Sequence, residues 1–468
     1  MPLPRVAVVG GGITGLAAAW YLLRIAREGP RGFEVVVLEA EPEAGGKLRT
    51  ERCHGFLVEA GPDSFLTGKP AAVDLCRELG LAEALIPQQE PRGAYVARRG
   101  RLVPIPPGMR LVHPTRPLSF LRSPLLSLPG RIRALAHPLV GASRSGDESV
   151  GAFVQRRYGA ELLTVLGEPL LAGIHLADPW RLSLQATFPA LRAPVRRARP
   201  GATAPEGPAQ LRGSPFASLE GGVQQLVDAL CTHLGGCVRV GARVTSIVPA
   251  AGGYRVHLRS AVDAPLAAAA VVVTTPAAGA ARLVRTANPR LADLLARAEA
   301  ASSVIVTLGY HDPRVALPLA GSGFLVPGDE SSRLLACTWS SAKWAGRAPA
   351  GGVLLRGFLG GWRQPEVLAL GDGELIALLQ DELSVTVGAS FARSVQPAVS
   401  RVHRWPDGTP LYRVGHADWL AGVRAACAAS PGLWLAGSPY DGVGIPDCIR
   451  QARETAAAVA AYLTGERG

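Results

Sequence analysis

Three glycines near the start of the chain have the spacing of a phosphate-binding turn. Gly10, Gly12 and Gly15 fit the pattern G-x-G-x-x-G within the loop Gly10-Gly11-Gly12-Ile13-Thr14-Gly15. In such a loop the first glycine permits a tight turn, the second lets the backbone approach a pyrophosphate, and the third lets helix and strand pack closely. The first amides of the following helix then face the phosphates. The pattern predicts a dinucleotide site.

An acidic residue follows at the distance expected of a ribose ligand. Glu39 lies 24 residues after Gly15 and closes an apolar run. A carboxylate there can accept hydrogen bonds from the ribose hydroxyls, and its charge would repel a 2′-phosphate. The sequence therefore favours FAD or NAD over NADP.

The elements that must position these residues follow from the apolar pattern. Residues 5–9 and 34–38 are short β-branched runs typical of buried parallel strands, and residues 12–27 between them have helical periodicity. Further helices are predicted over 69–85, with Gly80 as the stop signal, and over 444–463. The pattern indicates an α/β fold with a mixed or antiparallel second sheet, because strands are also predicted at 238–248, 254–258, 271–273, 304–308, 323–326, 334–338, 353–357 and 433–437.

The formal net charge is +12, and much of the excess lies in one segment. Residues 91–146 contain ten arginines and no aspartate or glutamate. No nucleic-acid partner is expected, because neither an aromatic stacking platform nor a nucleic-acid motif accompanies the arginines. We predict that the segment attracts a small polycarboxylate substrate or contacts an anionic membrane surface; an ordinary solvated surface is the alternative.

The seven cysteines are scattered, without a CxxC pair or a Cys/His cluster. This indicates structural thiols in a reducing cytoplasm and predicts no metal site. No apolar run reaches the roughly 18 residues of a membrane span, and the N-terminus lacks the pattern of a signal peptide. We expect a cytoplasmic protein, with at most a peripheral contact on the inner face of the membrane. Its oligomeric state, monomer or homodimer, stays open.

Two further glycine-rich segments distinguish FAD from NAD. Ala44-Gly45-Gly46-Lys47 and Gly61-Pro62-Asp63-Ser64 follow the ribose acid, and Ala436-Gly437 ends a late strand before a helix. This arrangement resembles the amine-oxidase-like flavoproteins. The resemblance implies a Rossmann-like FAD-binding domain split over residues 1–90, 214–280 and 431–468. It also implies an inserted, mainly helical domain at 91–213 that could face a membrane, and a mixed-sheet substrate-binding domain at 281–430.

Longer motifs resemble one family of flavoenzymes over essentially the whole chain. They are Glu59-Ala60-Gly61-Pro62-Asp63-Ser64-Phe65-Leu66, Glu168-Pro169-Leu170-Leu171-Ala172-Gly173-Ile174-His175, Leu182-Ser183-Leu184, Cys337-Thr338-Trp339-Ser340-Ser341 and Asp441-Gly442-Val443-Gly444-Ile445-Pro446-Asp447-Cys448. Together they resemble the FAD-dependent porphyrinogen oxidases of haem biosynthesis. The last motif is most similar to the bacterial branch that oxidises coproporphyrinogen III, and the protoporphyrinogen IX branch is the alternative. The resemblance implies three two-electron oxidations of the macrocycle, with molecular oxygen as acceptor and hydrogen peroxide as product.

The same resemblance assigns candidate site residues. No catalytic side chain is expected, because the flavin carries the chemistry. Arg92, Lys69 and His175 are the candidate substrate ligands, since substrate carboxylates need cations. The FAD contacts would be Gly10, Gly11, Gly12, Ile13, Thr14, Gly15, Glu39, Ala40, Lys47, Gly61, Pro62, Asp63, Ser64, Val244, Trp405, Val443, Gly444 and Ile445.

Purely structural or surface roles stay open as alternatives for several of these residues. Val244 and Trp405 could be core residues, Arg92 and Lys69 could be surface charges, and His175 could be a buried structural histidine. The segment Thr409-Pro410-Leu411-Tyr412 departs from the Met-Pro-Gln-Tyr of many relatives. Two other functions also stay open: another amine-oxidase-type flavoenzyme, such as an amine oxidase or carotenoid desaturase, or a porphyrin carrier without turnover. No aromatic pair or flavin-tethering cysteine of the amine oxidases was found.

Overall fold

The computed structural model describes residues 3–29, 32–141, 146–192, 208–259, 264–317 and 320–465. Within these ranges the strands are β1 (Arg5–Val9), β2 (Glu34–Leu38), β3 (Thr50–Cys53), β4 (Phe56–Glu59), β5 (Phe65–Leu66), β6 (Leu85–Pro87), β7 (Tyr95–Arg98), β8 (Arg101–Pro104), β9 (Met109–Arg110), β10 (His113–Pro114), β11 (Phe216–Leu219), β12 (Val238–Arg239), β13 (Val244–Ala250), β14 (Gly253–Leu258), β15 (Leu266–Ala268), β16 (Ala270–Val273), β17 (Ala300–Tyr310), β18 (Gly323–Leu325), β19 (Ala336–Trp339), β20 (Val353–Gly360), β21 (Val399–Pro410) and β22 (Leu433–Leu435).

The α-helices of the same ranges share the chain with several short 3₁₀ turns. They are α1 (Ile13–Glu28), α2 (Ala71–Glu78), α3 (Pro117–Arg122), α4 (Leu128–Leu135), α5 (Val150–Tyr158), α6 (Ala160–Leu162), α7 (Glu168–His175), α8 (Leu184–Thr187), α9 (Gln224–Leu234), α10 (Ala277–Val284), α11 (Pro289–Leu295), α12 (Ser340–Lys343), α13 (Asp372–Thr386), α14 (His416–Ala428) and α15 (Ile445–Thr464).

Five parallel strands form the sheet that carries the first glycine loop. Their order is β12-β2-β1-β16-β22, and Val8 of β1 lies beside Val37 on one side and Val272 on the other. Both faces of the central strands are buried, which explains their continuous apolar sequence. One face packs against α1, α2, α9 and α15, and the other packs against α10, α11 and α14. The strands come from three distant parts of the chain.

A second, larger sheet has the strand order β21-β17-β20-β19-β18-β7-β8. Its neighbours are antiparallel except for the β18–β7 pair, so the sheet is mixed, as the sequence predicts. The structure differs here from the predicted boundary at residue 91, because β7 and β8 are the end of this sheet. The predicted unit 281–430 differs as well, since α11 and α14 pack on the parallel sheet.

Helices α3 to α8 surround a separate apolar core that includes Phe120, Phe153 and Leu166. We call residues 109–187, which include β9, β10 and α3 to α8, the helical insertion. Residues 191–213 are rich in Arg, Pro, Gly and Ala, which predicts an exposed loop, and most of them lie outside the described residues. In the described part of the chain, no helix is both long and apolar enough to cross a bilayer.

The predicted strand 238–248 is two strands in different sheets. β12 joins the parallel sheet beside β2, whereas β13 pairs with β14 in a separate three-stranded antiparallel sheet. The break falls at Gly241, whose φ of 68° suits glycine and interrupts the extended backbone. The turn brings Val244 back toward the end of β2.

Candidate cofactor site

The glycine loop connects β1 to α1, and its glycines meet different surroundings. A Cβ atom on Gly15 would lie 1.9 Å from the carbonyl oxygen of Gly10, so helix and strand pack too closely for any side chain. Gly10 has a φ of 109°, and its Cβ would lie 2.8 Å from Thr274 Oγ1. Gly12 instead has no atom of the described chain, beyond its own residue and its two neighbours, within 4 Å of its Cβ position. The loop therefore closes tightly at its two ends and leaves open space at its middle glycine.

Glu39 holds this loop through backbone amides. Its carboxylate accepts hydrogen bonds from the amide of Gly11 at 2.5 Å and from that of Glu41 at 2.8 Å. The pair Gly45-Gly46, which follows Glu39 in the chain, also contacts the loop, because the amide of Gly45 donates to the carbonyl of Gly11 at 2.8 Å. The loop after β2 thus packs against the loop after β1.

A cavity of about 660 Å³ opens at the carboxyl ends of β1, β2 and β16, and we call it the cofactor cavity. Parallel α/β sheets bind ligands at this edge, and the volume is within the roughly 300–1,000 Å³ usual for small-molecule sites. Most of the residues assigned to FAD by sequence line it. They are Gly10, Gly12, Ile13, Thr14, Glu39, Ala40, Lys47, Pro62, Val244, Val443 and Ile445.

The residues present fit a dinucleotide. Helices α1 and α15 begin at the cavity wall with Ile13 and Ile445, and neither start has a side-chain cap, so both present unpaired amides to an anionic group. The hydroxyl of Thr275, also in the wall, is buried without a hydrogen-bond partner in the described chain. Two helix starts and an unpartnered hydroxyl suit the two phosphates and hydroxyls of a dinucleotide.

Lys47 lies where this cavity meets a second one of about 540 Å³. Its ammonium donates to the carbonyl of Gly408, and burial lowers its pKa. The second cavity shares Ser438 and Pro439 with the first, and its wall includes Arg297, Glu299, Arg413 and His416. The cofactor cavity therefore continues toward a group of charged side chains.

Gly61, Asp63 and Ser64 do not line the cofactor cavity. Asp63 belongs to a buried ion network: its carboxylate lies 3.1 Å from the Lys343 ammonium and 3.5 Å from Arg356 Nη1. Burial alone would raise the pKa of Asp63, but these two cations outweigh it and hold the pKa well below its usual range. Arg356 also donates to the carbonyl of Gly61. The network fixes the turn that includes Pro62.

Trp405 and Gly444 do not line the cavity but stabilise segments that do. The indole nitrogen of Trp405 donates to the carbonyl of Ala60 at 2.8 Å, which joins β21 to the turn that precedes Pro62. Gly444 is the N-cap of α15. Nearby Gly442 has a φ of 100°, and its Cβ would lie 2.5 Å from Asp447 Cγ. Asp447 thus packs against the glycine turn that leads into α15.

The three predicted substrate ligands do not line the cofactor cavity. Arg92 donates to the carbonyls of Gly213 and Gln88 and pairs with Glu90 at 3.1 Å. Lys69 forms an ion pair with Asp447 at 2.7 Å. The structure gives both cations partners within the chain.

His175 is buried beside Phe188, with 5.4 Å between ring centroids. Burial, and then the charge of Lys69, lower its pKa to about 4, so the imidazole is neutral at pH 7. Its Nδ1 has no hydrogen-bond partner in the described residues. Arg92 is held by a different set of contacts.

Several wall residues were missed by sequence reasoning. Thr274, Thr275 and Pro276 directly follow β16, so the rule that ligands lie at the carboxyl ends of parallel strands could have found them. Ser438 and Pro439 follow the parallel strand β22, so the same rule applies to them. Other wall residues carry no such signal; they are Arg243, Thr245, Gly279, Arg282, Leu283 and Cys448.

Comparison with known proteins agrees with the geometry. The family described as flavin containing amine oxidoreductase matches residues 13–460. The chain belongs to this family. It is therefore an FAD-dependent oxidoreductase with an amine-oxidase-like fold, and the cavity between β1, β2 and β16 is the place at which its residues fit the cofactor.

Similar members of the family cover almost the full chain. Coproporphyrinogen III oxidase of Bacillus subtilis strain 168 is 33% identical over 98% of this chain and 98% of its own length. Coproporphyrinogen III oxidase of Propionibacterium freudenreichii is 37% identical over 97% of this chain and 90% of its own length. A candidate protoporphyrinogen oxidase from Exiguobacterium, with a crystal structure, is 30% identical, has a TM-score of 0.84, and is matched over 98% of this chain and 99% of its own.

Proposed function

We propose that this flavoenzyme oxidises coproporphyrinogen III to coproporphyrin III in haem biosynthesis. The substrate would lose six electrons and six hydrogens in three two-electron oxidations. The observation that carries the proposal is the full-length similarity to two proteins named coproporphyrinogen III oxidase, at 37% and 33% identity. FAD supplies the two-electron acceptor chemistry when it is bound.

The chain's own residues would bind and orient the reactants. The uncapped starts of α1 and α15 favour anionic groups of the cofactor. Lys343 and Arg356 neutralise Asp63 and so keep the Gly61–Pro62 turn at the cavity wall in place. We expect substrate carboxylates near Lys69 and His175; Arg92 would have to exchange its carbonyl partners for a carboxylate.

Molecular oxygen is the proposed final acceptor. Each porphyrinogen would consume three oxygen molecules and release three molecules of hydrogen peroxide, which balances the six electrons and six hydrogens that leave the macrocycle. This stoichiometry separates an oxidase from an enzyme that passes electrons to another acceptor.

A side-by-side rate comparison tests the proposal. Purified FAD-loaded protein would be given coproporphyrinogen III and protoporphyrinogen IX separately, with porphyrin fluorescence and peroxide measured above a protein-free autoxidation blank. We expect faster turnover of coproporphyrinogen III and three peroxides per porphyrin. Faster turnover of protoporphyrinogen IX would assign the chain to the sister activity. Porphyrin binding without turnover of either substrate would indicate a carrier.

We also propose that the helical insertion contacts anionic lipid. Leu118, Leu128, Ile132 and Leu139 are large apolar side chains that are 54–89% exposed, and Leu128 and Ile132 share one face of α4 at i and i+4. Exposed arginines lie in the same acid-free segment. An apolar surface with basic neighbours suits an anionic membrane interface.

Sedimentation with vesicles tests the membrane contact. We expect binding to phosphatidylglycerol vesicles, weaker binding to phosphatidylcholine, and loss of binding in an Ile132→Glu/Leu139→Glu variant. Val385→Glu is the matched control, since Val385 is 75% exposed on α13, which is not part of the helical insertion. Equal sedimentation of both variants, or no lipid dependence, would contradict the contact.

A further inference from the structure

A buried cluster around one arginine lies in the helical insertion, away from the cofactor cavity. It consists of Arg157 and Tyr158 at the end of α5, His113 of β10, and His137 of the 3₁₀ turn His137–Leu139. Each of the three basic side chains is less than 10% exposed. The two histidine rings lie 4.7 Å apart between centroids, and the Tyr158 ring lies 5.2 Å from that of His137. The cluster therefore joins three separate elements.

Several hydrogen-bond donors of this cluster are unpartnered. Nε and Nη1 of Arg157 and Nδ1 of His137 are buried and have no hydrogen-bond partner in the described chain. The guanidinium carbon of Arg157 lies 5.8 Å from the Phe153 ring centroid and 5.9 Å from that of Tyr158. Aromatic faces attract a cation but do not accept these N–H groups in the plane of the guanidinium.

The carboxylates of neighbouring elements are already engaged. Glu148 pairs with Arg156 at 2.8 Å, Glu161 accepts from Ser127, and Asp147 accepts from Ser183. The segment 91–146, which supplies both histidines, contains no acidic residue. A guanidinium does not lose its proton in a protein, and a buried charge without a counter-charge is strongly unfavourable.

We propose that this cluster binds a small oxyanion, for which inorganic phosphate is the probe. The fork of N–H groups on Arg157 matches two oxyanion oxygens, and the His137 ring adds a donor from a second element. The bound anion would hold α5 to the turn that ends at exposed Leu139. None of these residues lines the cofactor cavity, so the site is independent of the proposed oxidase activity.

Equilibrium dialysis with radiolabelled inorganic phosphate tests the site. The full chain would be used with FAD bound, because the cofactor then covers the other anion-binding amides, and a bulky sulfonate buffer would hold ionic strength constant. We expect one phosphate per chain, and at least tenfold weaker binding in Arg157→Met. Arg156→Met is the matched control, since Arg156 is the next residue and already pairs with Glu148; it should bind like the unaltered chain.

A second measurement covers the case in which Arg157→Met does not fold. Thermal unfolding of the unaltered chain should shift upward with phosphate but not with an equal ionic strength of the sulfonate. His137→Leu, which keeps the guanidinium, should reduce that shift. Absence of phosphate binding by the unaltered chain, or an equal loss in Arg156→Met, would overturn the proposal.

Discussion

Gly12 and Gly15 are three residues apart, but the space around their Cβ positions differs. The Cβ position of Gly15 lies 1.9 Å from the Gly10 carbonyl oxygen, whereas that of Gly12 has no non-neighbouring atom of the described chain within 4 Å. Gly12 also has an ordinary φ of −74°, which other residues adopt without strain. One glycine therefore serves the fold and the other serves the ligand.

Alanine at each position should separate these roles. Gly15→Ala forces helix and strand apart, so we expect the apoprotein to lose about 1–3 kcal/mol of unfolding free energy or more. Gly12→Ala should leave the apoprotein within about 0.5 kcal/mol but weaken FAD binding, because the methyl group enters the cavity. Urea unfolding of the apoprotein and flavin fluorescence titration measure the two effects. Unchanged FAD affinity in Gly12→Ala would contradict the assignment.

Asp63 is predicted by sequence to contact FAD. In the structure its carboxylate forms ion pairs with Lys343 and Arg356. Asp63→Asn leaves both cations buried without their counter-charge, so we expect a loss of about 3–5 kcal/mol of unfolding free energy. The exposed pair Asp312–Arg314 provides the control, and Asp312→Asn should not measurably change stability.

The ion pairs of Asp63 with Lys343 and Arg356 also determine how the loss of unfolding free energy in Asp63→Asn depends on pH. The pKa of Asp63 is lowered in the folded chain, so its contribution is present above the unfolded value of about 3.9 and disappears as pH falls toward the folded value. Asp63→Asn should therefore flatten the loss of stability below about pH 4. Unfolding midpoints in urea between pH 3 and 7 measure this; an unchanged acid limb would contradict it.

Helix α15 carries an ion pair at its first turn. Asp447 packs against the Gly442 turn and pairs with Lys69, which lies just before α2. The pair connects two elements that meet beside the cavity, and it is half-exposed on the lysine side. At the scale of elements, Lys69 is thus a positioning residue for the start of α15 as well as a candidate ligand for a substrate carboxylate.

Lys69→Met distinguishes the two roles. If Lys69 positions α15, FAD affinity should fall by roughly fivefold with little loss of stability, because half-exposed pairs contribute about 1 kcal/mol or less. Asp447→Asn should then have the same effect, and the double variant should add nothing. A higher KM for the porphyrinogen with unchanged FAD affinity would instead assign Lys69 to the substrate.

At the scale of the whole molecule, each large sheet is built from segments that are distant in the chain. The parallel sheet uses strands from the beginning, middle and end of the chain. β22 is its edge strand, and α15 buries Ile449, Ala452, Ala456 and Val459 against α1 and its neighbours. The larger sheet likewise takes β7 and β8 from the first quarter of the chain. Neither sheet is complete until distant segments have paired.

Removal of the last segment should therefore abolish the cofactor site. We expect a chain that ends at Pro431 to bind no FAD and to lack a cooperative thermal transition, because β22 and α15 are missing from the sheet and its covering helices. A chain that ends at Gly465 keeps all of α15 and should behave like the full protein. FAD binding by the shorter chain would show that the remaining strands form the site alone.

Much of the cofactor site could be predicted from sequence because its signals are local. The glycine loop, the acid after β2 and the second glycine pair each lie within a few residues of a strand end, where backbone geometry demands particular residue types. Helices α1 and α15 were predicted nearly to their ends. Helix α2 is shorter than predicted, since it begins after Pro70 and ends before Gly80, which has a φ of 74°.

The sequence by itself predicted the glycine loop with its acidic partner, the family resemblance and a second sheet, because short motifs and apolar periodicity encode them. Only the tertiary structure decided which charges are free. It paired Asp63 with Lys343 and Arg356, paired Lys69 with Asp447, and left Arg157 without an acidic partner in the described chain. Such partners are up to 378 residues apart, and the energy of a charge depends on burial and neighbours that no local pattern records.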